Sequence, residues 1–260
     1  MSQASPNLTP DFEVKFLLDP TKVLNTEHEL SNELLSAFAV SPTITKINVM
    51  FLDTDDKALY QARWIARVRK TEGKRSFDLT YKTRYAIEGE DIGAALTVAS
   101  GDGFSVSGDN KYEAQVEWGY EKMTLSISRA KKASDSGFSG TSLPGFESAR
   151  GMLVDEAPDK FNNAGGEDWG KKVLQAARIY GPILTTRSVG KWKGIKITVE
   201  VWPIVIAAEG RTEYVVEASF KADAETEARD GRRAVQDMLS GMGWLSPRDS
   251  LKTQLVLDNY

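Results

Sequence analysis

Alternation of polar and apolar residues with a period of two constrains the fold of this 260-residue chain more than any other feature. In Asp11–Phe16, for example, Asp11, Glu13 and Lys15 share one face, and three apolar residues share the other. Because successive side chains of a β-strand point to opposite faces, this pattern predicts strands with one apolar face. The pattern recurs in Asp11–Phe16, Ile65–Val68, Phe77–Tyr85, Lys111–Trp118, Met123–Ser128, Lys196–Val201 and Glu213–Phe220.

Two further segments, Ile47–Leu52 and Ile183–Ser188, raise the prediction to eight or nine strands. Strands in this number favour a mainly antiparallel sheet or barrel. Helical spacing of apolar residues predicts helices in the gaps, the first of them with Thr26 as its N-cap. The predicted helices are Glu27–Phe38, Asp55–Arg63, Trp169–Tyr180 and Ala222–Trp244.

Residues 133–166 interrupt this pattern. They are rich in Ser, Gly, Asp and Asn and show no sustained period, which predicts a long loop insertion. The strand pattern resumes after them, so we expect one domain over residues 1–260 that carries a long excursion. Residues 1–10 have neither a basic start nor an apolar run, and we expect a flexible tail there.

Composition excludes several classes of chemistry. The chain has no Cys and one His, which excludes Cys/His zinc sites, cysteine nucleophiles and disulfide scaffolds. The 33 Lys and Arg residues against 37 Asp and Glu give a net charge of −4, which argues against a nucleic-acid partner. No run of 18 apolar residues occurs, so we expect no membrane partner, and the lack of Cys fits a cytoplasmic location.

The polar faces of the predicted strands carry sorted charges, which are open to two interpretations. The strands could close into a barrel with a charged interior that binds a polyphosphate and a divalent ion, because cations bind phosphate oxygens and carboxylates bind Mg²⁺ or Mn²⁺. Alternatively, these faces are solvated and carry salt bridges between strands. The residues concerned are the carboxylates Asp11, Glu13, Glu113, Glu117, Glu200 and Glu217 and the cations Lys15, Arg67, Arg69, Lys82, Arg84 and Arg187.

Five segments resemble, in order, the motifs of the CYTH family, the triphosphate tunnel metalloenzymes. The segment from Asp11 to Lys15 resembles the E-x-E-x-K motif, with Asp in place of the first Glu. The family's passage with two arginines is similar to FLDTDDKALYQARWIARVRK, in which the arginines are Arg67 and Arg69. The remaining matches are LTYKTR with Lys82, TTRSVGKWKG with Arg187, and EYVVEASFKADAETEARDGRRAVQDMLSGMGW, which resembles the E-x-E strand and its following helix.

This resemblance implies an α+β fold, an antiparallel eight-stranded closed β tunnel with helices packed outside. It also implies a phosphohydrolase that uses Mg²⁺ or Mn²⁺ and acts on a small triphosphate, such as tripolyphosphate, thiamine triphosphate or a nucleoside triphosphate. The implied phosphate-binding residues are Lys15, Arg67, Arg69, Lys82, Arg84, Arg187 and Lys252; the implied metal ligands are Asp11, Glu13, Glu113, Glu200 and Glu217; and the implied catalytic residues are Glu13, Glu217 and Lys82.

The sequence departs from the family pattern at its carboxylates. Asp11 is one methylene shorter than Glu, and the E-x-E motif becomes Glu217-Ala-Ser219. The acidic position on the preceding strand is filled by Glu200 or, in an alternative register, by Trp202. Because fewer carboxylates hold a metal less tightly, two other functions stay open. One is a lyase or cyclase that releases pyrophosphate from an organic phosphate ester, as class IV adenylate cyclases do, and the other is a non-catalytic phosphate-binding module.

Overall fold

A computed structural model describes residues 8–105, 112–249 and 252–260. Residues 1–7 of the predicted tail lie outside this description, as does Lys111 at the start of a predicted strand. Leu8 is described and is buried.

The fold is α+β, and all nine predicted strands are present. In the hydrogen-bonded order β10-β1-β5-β6-β4-β3-β2-β7-β8-β9, strand β1 also pairs with β9, so that nine strands close into a barrel and β10 lies outside it. The strands are β1 Asp11–Leu18, β2 Thr45–Asp53, β3 Trp64–Thr71, β4 Ser76–Ile87, β5 Glu113–Trp118, β6 Met123–Ser134, β7 Arg178–Trp192, β8 Ile195–Ile206, β9 Arg211–Ala222 and β10 Leu245–Ser246.

The predicted count of eight strands in the barrel is wrong by one, and this has a consequence for strand direction. A closed ring with an odd number of strands cannot be antiparallel throughout, because strand direction must alternate around it. At least one neighbouring pair is therefore parallel, and the barrel is mixed. The pairings of β1 with β9, β3 with β4, β4 with β6, β7 with β8 and β8 with β9 are antiparallel.

Helices connect the strands. The four predicted helices are present but shorter than expected, and helices α1, α4, α5, α6 and α9 were not predicted. The helices are α1 Pro20–Val23, α2 Asn32–Ala37, α3 Ala58–Gln61, α4 Ile92–Gly101, α5 Phe146–Asp155, α6 Asp159–Asn162, α7 Trp169–Gln175, α8 Glu225–Gly241 and α9 Lys252–Asn259.

Helix α2 shows why one helix starts later than predicted. The side-chain oxygen of Asn25 accepts hydrogen bonds from the backbone N–H groups of Glu27 and Glu29, both at 2.9 Å. This local turn competes with a helix, and His28 within it has a positive φ of 60°. The N-cap is therefore Ser31, whose hydroxyl accepts from the N–H of Leu34, and not Thr26.

The chain divides into two compact units, which are described separately; the prediction of a single domain stays a prediction. Unit 1 comprises the residues up to Pro10, Val49–Val116 and Met123–Pro182. Unit 2 comprises Asp11–Asn48, Glu117–Lys122 and Ile183–Tyr260.

In unit 1, residues 133–166 contain two helices where the sequence predicts a long loop. Helices α5 and α6 bury Ala149, Leu153 and Phe161 completely. The hydroxyl of Tyr81 donates to the carbonyl of Leu153 at 2.6 Å, and the Phe161 ring lies 4.9 Å from Tyr81 and 5.3 Å from Trp64. Tertiary packing of a few apolar side chains thus overrides a loop-like composition.

In unit 2, helix α8 packs against β1 and β9. Its buried residues Ala228, Val235 and Leu239 recur at helical spacing, which is the pattern of one apolar stripe. Gly231 allows the close approach, because a Cβ atom there would lie 2.8 Å from the ring of Phe220.

No helix within the described ranges has the length and apolar character needed to cross a membrane.

We expect Phe161→Ala to destabilise the protein by about 3–5 kcal/mol, because it removes a buried ring and leaves a cavity. Urea unfolding at equilibrium measures this loss. Phe146→Ala, at a half-buried position in the same segment, is the matched control and should cost clearly less. Equal, small losses for both variants would show that residues 133–166 behave as a loop.

Candidate functional site

Unit 1 carries a face with a large excess of positive charge. In the register of β3 and β4, Arg67 lies opposite Thr80, and Arg69 lies opposite Asp78. Because positions two apart share a face, Lys82 and Arg84 continue the same row. The neighbouring strand β6 adds Ser126, Ser128 and Lys132 opposite Arg84, Lys82 and Asp78. We call Arg67, Arg69, Lys82, Arg84 and Lys132 the cationic face; Asp78 is the acidic residue among these facing positions.

The contacts of the cationic face leave hydrogen-bonding capacity at Arg69. Its Nη2 atom lies 3.2 Å from Asp78, which also accepts from Lys132 at 2.7 Å. Arg67 donates to the hydroxyl of Thr80 at 3.1 Å. The Nε atom of Arg69 is buried and, among the described residues, finds no hydrogen-bond acceptor. An anion on this face would satisfy that donor.

Asp78 is held as a carboxylate by the cations around it. Partial burial acts to raise its pKa, but the hydrogen bond from Lys132 and the charge of Arg69 outweigh burial, so that the pKa of Asp78 lies below its usual range.

Unit 2 carries a second group of charged side chains, in which carboxylates outnumber cations. Across β7, β8 and β9, Arg187 lies opposite Glu200, and Glu200 lies opposite Glu217. Lys15 on β1 lies opposite Ser219, two residues from Glu217 and therefore on the same face of β9. Helix α9 adds a further cation. We call Glu13, Lys15, Glu117, Arg187, Glu200, Glu217 and Lys252 the charge cluster; it holds four carboxylates and three cations.

Glu200 accepts four hydrogen bonds from three side chains of unit 2. Its Oε1 atom accepts from the Nε and Nη2 atoms of Arg187 at 2.9 and 2.6 Å. Its Oε2 atom accepts from the indole N–H of Trp202 and from the ammonium of Lys252, both at 2.9 Å. Burial acts to raise its pKa, but the charges of Lys252 and Arg187 outweigh burial, and the pKa of Glu200 lies far below its usual range.

The two lysines of the charge cluster are also held by carboxylates. Lys252 donates to Glu217 at 2.8 Å, while the Nζ atom of Lys15 lies 2.9 Å from Glu13 and 3.3 Å from Glu117. Burial acts to lower the pKa of each lysine, but the neighbouring carboxylates outweigh it, so that the pKa of each is raised and both are charged.

The register of β8 against β9 shows whether Glu200 or Trp202 lies opposite Glu217. Glu200, and not Trp202, lies opposite Glu217, while Trp202 lies opposite Val215. Trp202 follows on the same face and donates to Glu200. The ring of Trp202 lies 4.7 Å from the Lys252 ammonium, a cation–π contact.

The structure brings together some of the implied metal ligands but not all of them. Glu200 and Glu217 are adjacent, Glu13 pairs with Lys15, and both Asp11 and Glu113 are exposed at the starts of their strands. Within the described part of the chain, no group of three or more acidic or His side chains is arranged to hold a metal ion.

The carboxylate oxygens do not fit a divalent ion as they are arranged. Glu200 accepts four hydrogen bonds, about the full capacity of a carboxylate. The nearest oxygen of Glu217 accepts from Lys252. A metal would have to displace these donors.

Comparison with solved structures shows the fold. HpAC1 from Hippeastrum, a proposed adenylyl cyclase described as having a dominant triphosphatase activity, shares 12% identity at a TM-score of 0.52, over 95% of this chain and 99% of that one. A proposed adenylate cyclase from Bacillus halodurans shares 11% identity at a TM-score of 0.51, over 94% and 96%. This chain has their fold. The fold recognised from the motifs is thereby confirmed, although no family model and no curated protein matches the sequence.

Sequence reasoning gave no role to two residues of the cationic face. Asp78 and Thr80 contact its arginines, while Glu117, which was placed on the charged strand faces, contacts Lys15. Strand alternation places Asp78 and Thr80 on the charged faces as well, and this signal could have found them. The contact of Trp202 with Glu200 depends on register, which alternation alone does not supply.

We expect Asp78→Asn to reduce the acid sensitivity of folding. A carboxyl group with a lowered pKa contributes stability above its unfolded-state pKa and loses this contribution as the pH falls through the folded value, here below about pH 4. Urea unfolding at about pH 6 and about pH 3 should therefore show a smaller loss for Asp78→Asn than for the wild type. The exposed Asp223→Asn variant is the control and should keep the wild-type loss. The same loss in both variants would contradict the assignment.

Proposed function

We propose that the chain binds a small triphosphate on the cationic face and hydrolyses it. The observation that carries this proposal is the strand register, which places Arg67, Arg69, Lys82 and Arg84 on one face of β3 and β4, where Asp78 is the carboxylate in the pairings of β3, β4 and β6. Guanidinium groups match phosphate oxygens in geometry, and several cations in a row suit a chain of phosphates. The fold agrees with this proposal, because HpAC1 is described as a triphosphatase.

The proposed chemistry relies on neutralisation of charge. In phosphoryl transfer, negative charge spreads over the equatorial oxygens of the transferred group, and fixed cations stabilise it. Arg69 suits this role because Asp78 accepts from its Nη2 atom and holds the guanidinium, while its Nε atom finds no acceptor among the described residues. Lys82, the implied catalytic lysine, lies on the same face, on β4 opposite Ile65, which is two residues from Arg67 on β3.

The charge cluster contributes separately to the proposal. Arg187 uses two of its five N–H donors on Glu200. Its remaining donors would bind a phosphate oxygen while Glu200 keeps the guanidinium in place. The dependence on Mg²⁺ or Mn²⁺ stays a prediction of the resemblance, and no step of the proposed chemistry is assigned to a metal.

A cyclase is the second candidate function. Both structural neighbours are proposed adenylate cyclases, and Trp202 supplies an aromatic surface among the charges of unit 2. A cyclase would release pyrophosphate, whereas a hydrolase would release orthophosphate.

We expect Arg69→Gln to weaken binding of tripolyphosphate at least about 10-fold, because it removes a charge-assisted contact. Isothermal titration calorimetry at low salt measures this change. Arg75→Gln is the matched control, since Arg75 is exposed between β3 and β4. An equal loss of affinity for tripolyphosphate in both variants would show that Arg69 acts only through its charge. An unchanged affinity in Arg69→Gln would exclude phosphate binding by this residue.

We expect the protein to release orthophosphate from tripolyphosphate, thiamine triphosphate or a nucleoside triphosphate. The assay follows orthophosphate and pyrophosphate separately, with and without Mg²⁺ or Mn²⁺, and Arg69→Gln serves as the reduced-activity control. Pyrophosphate as the sole product would favour the cyclase. Binding without any product would favour a phosphate-binding module.

A further inference from the structure

The facing carboxylates of Glu200 and Glu217 require a cation. They lie directly opposite each other on β8 and β9, and their exposed fractions are 9% and 6%. Like charges at directly opposite positions of a sheet destabilise it, and burial of carboxylates adds a desolvation cost. Arg187 faces Glu200 on one side. Lys15 lies near Glu217 on the other side, but it forms its ion pairs with Glu13 and Glu117, so the pair of Glu200 and Glu217 still needs a cation of its own.

Lys252 meets this demand from the first residue of helix α9. Its ammonium donates to Glu200 at 2.9 Å and to Glu217 at 2.8 Å, and so bridges the two carboxylates. The ring of Trp202 covers it at 4.7 Å. The raised pKa of Lys252, caused by the carboxylates against the opposing effect of burial, keeps this bridge charged.

We propose that Glu200 and Glu217 form a cation site whose resident cation is the Lys252 ammonium, and that this pair binds a divalent ion only when Lys252 is removed. The motif resemblance assigns the same two carboxylates to Mg²⁺ or Mn²⁺. An ammonium group and a divalent ion use the same oxygens, so they compete for one position. The proposal does not depend on triphosphate hydrolysis.

Helix α9 is attached to β8 at both of its ends, which makes the lysine a fixed part of the site. Lys252 binds Glu200 at the start of the helix, and the hydroxyl of Tyr260, just beyond its end, accepts from the N–H of Val205 at 3.1 Å. Because the helix is attached at both ends, holding the ammonium in place costs little further conformational entropy.

The test is the thermal stability of Lys252→Met with and without Mg²⁺, Mn²⁺ or Ca²⁺. We expect a fall in Tm of about 10 °C in the absence of metal, because two buried carboxylates lose a shared cation, and recovery of at least about half of it with a divalent ion. Adding Glu217→Gln to Lys252→Met should abolish the metal response. Lys252→Arg keeps the charge and should show none. Lys196→Met, at an exposed position of β8, is the matched control.

A measurement on the wild-type protein covers the case in which Lys252→Met does not fold. A buried, hydrogen-bonded ammonium exchanges its protons slowly and gives an N–H signal in NMR spectra of ¹⁵N-lysine-labelled protein. We expect this signal to be absent in Lys252→Arg and unchanged in the wild type as Mg²⁺ is added. Loss of the signal with Mg²⁺, or a metal response of Lys252→Met no larger than that of the wild type, would overturn the proposal.

Discussion

The buried pair of Glu200 and Glu217 is the constraint on which the rest of unit 2 depends. Two facing carboxylates with almost no exposure are tolerated only when donors surround them. The donors come from three elements: Arg187 on β7, Trp202 on β8 and Lys252 on α9. The pair therefore fixes the register of β7 against β8 and holds the last helix on the same strands. Packing of apolar side chains alone would not impose a unique position on a short helix such as α9, because apolar contacts are not directional.

The two groups of charges differ in their balance. In the pairings of β3, β4 and β6, five cations lie on one face with Asp78 as the carboxylate among them, so this face favours an anion. In the charge cluster of unit 2, four carboxylates meet three cations, so an added anion would meet an excess of negative charge there and would depend on the remaining donors of Arg187. The same types of side chain thus perform two tasks. In unit 1, the Nε atom of Arg69 has no acceptor among the described residues, whereas most charges of the charge cluster in unit 2 hold one another.

Strands were predictable from this sequence because the alternation that defines them is local. Seven of the nine segments alternate, and the charged faces of β1, β3, β4 and β9 follow directly from this signal. The ends of helices were less predictable, because a turn such as that at Asn25 competes with the helix. Contacts of Lys252 were the least predictable. They join residues 52 and 35 positions apart, and nothing within a short window of sequence encodes them.

Ser219 and Lys252 change the charge of unit 2 in the same direction. A glutamate at position 219, as in the E-x-E motif, would lie opposite Lys15, which already has Glu13 and Glu117 as partners. It would add a fifth carboxylate, and that excess of negative charge is what a divalent ion neutralises. With serine at this position and an ammonium bridging Glu200 and Glu217, the excess falls to one charge. Neutralisation by the chain's own side chains therefore accounts for the serine at position 219 and for the contacts of Lys252, although the two residues are far apart in the sequence.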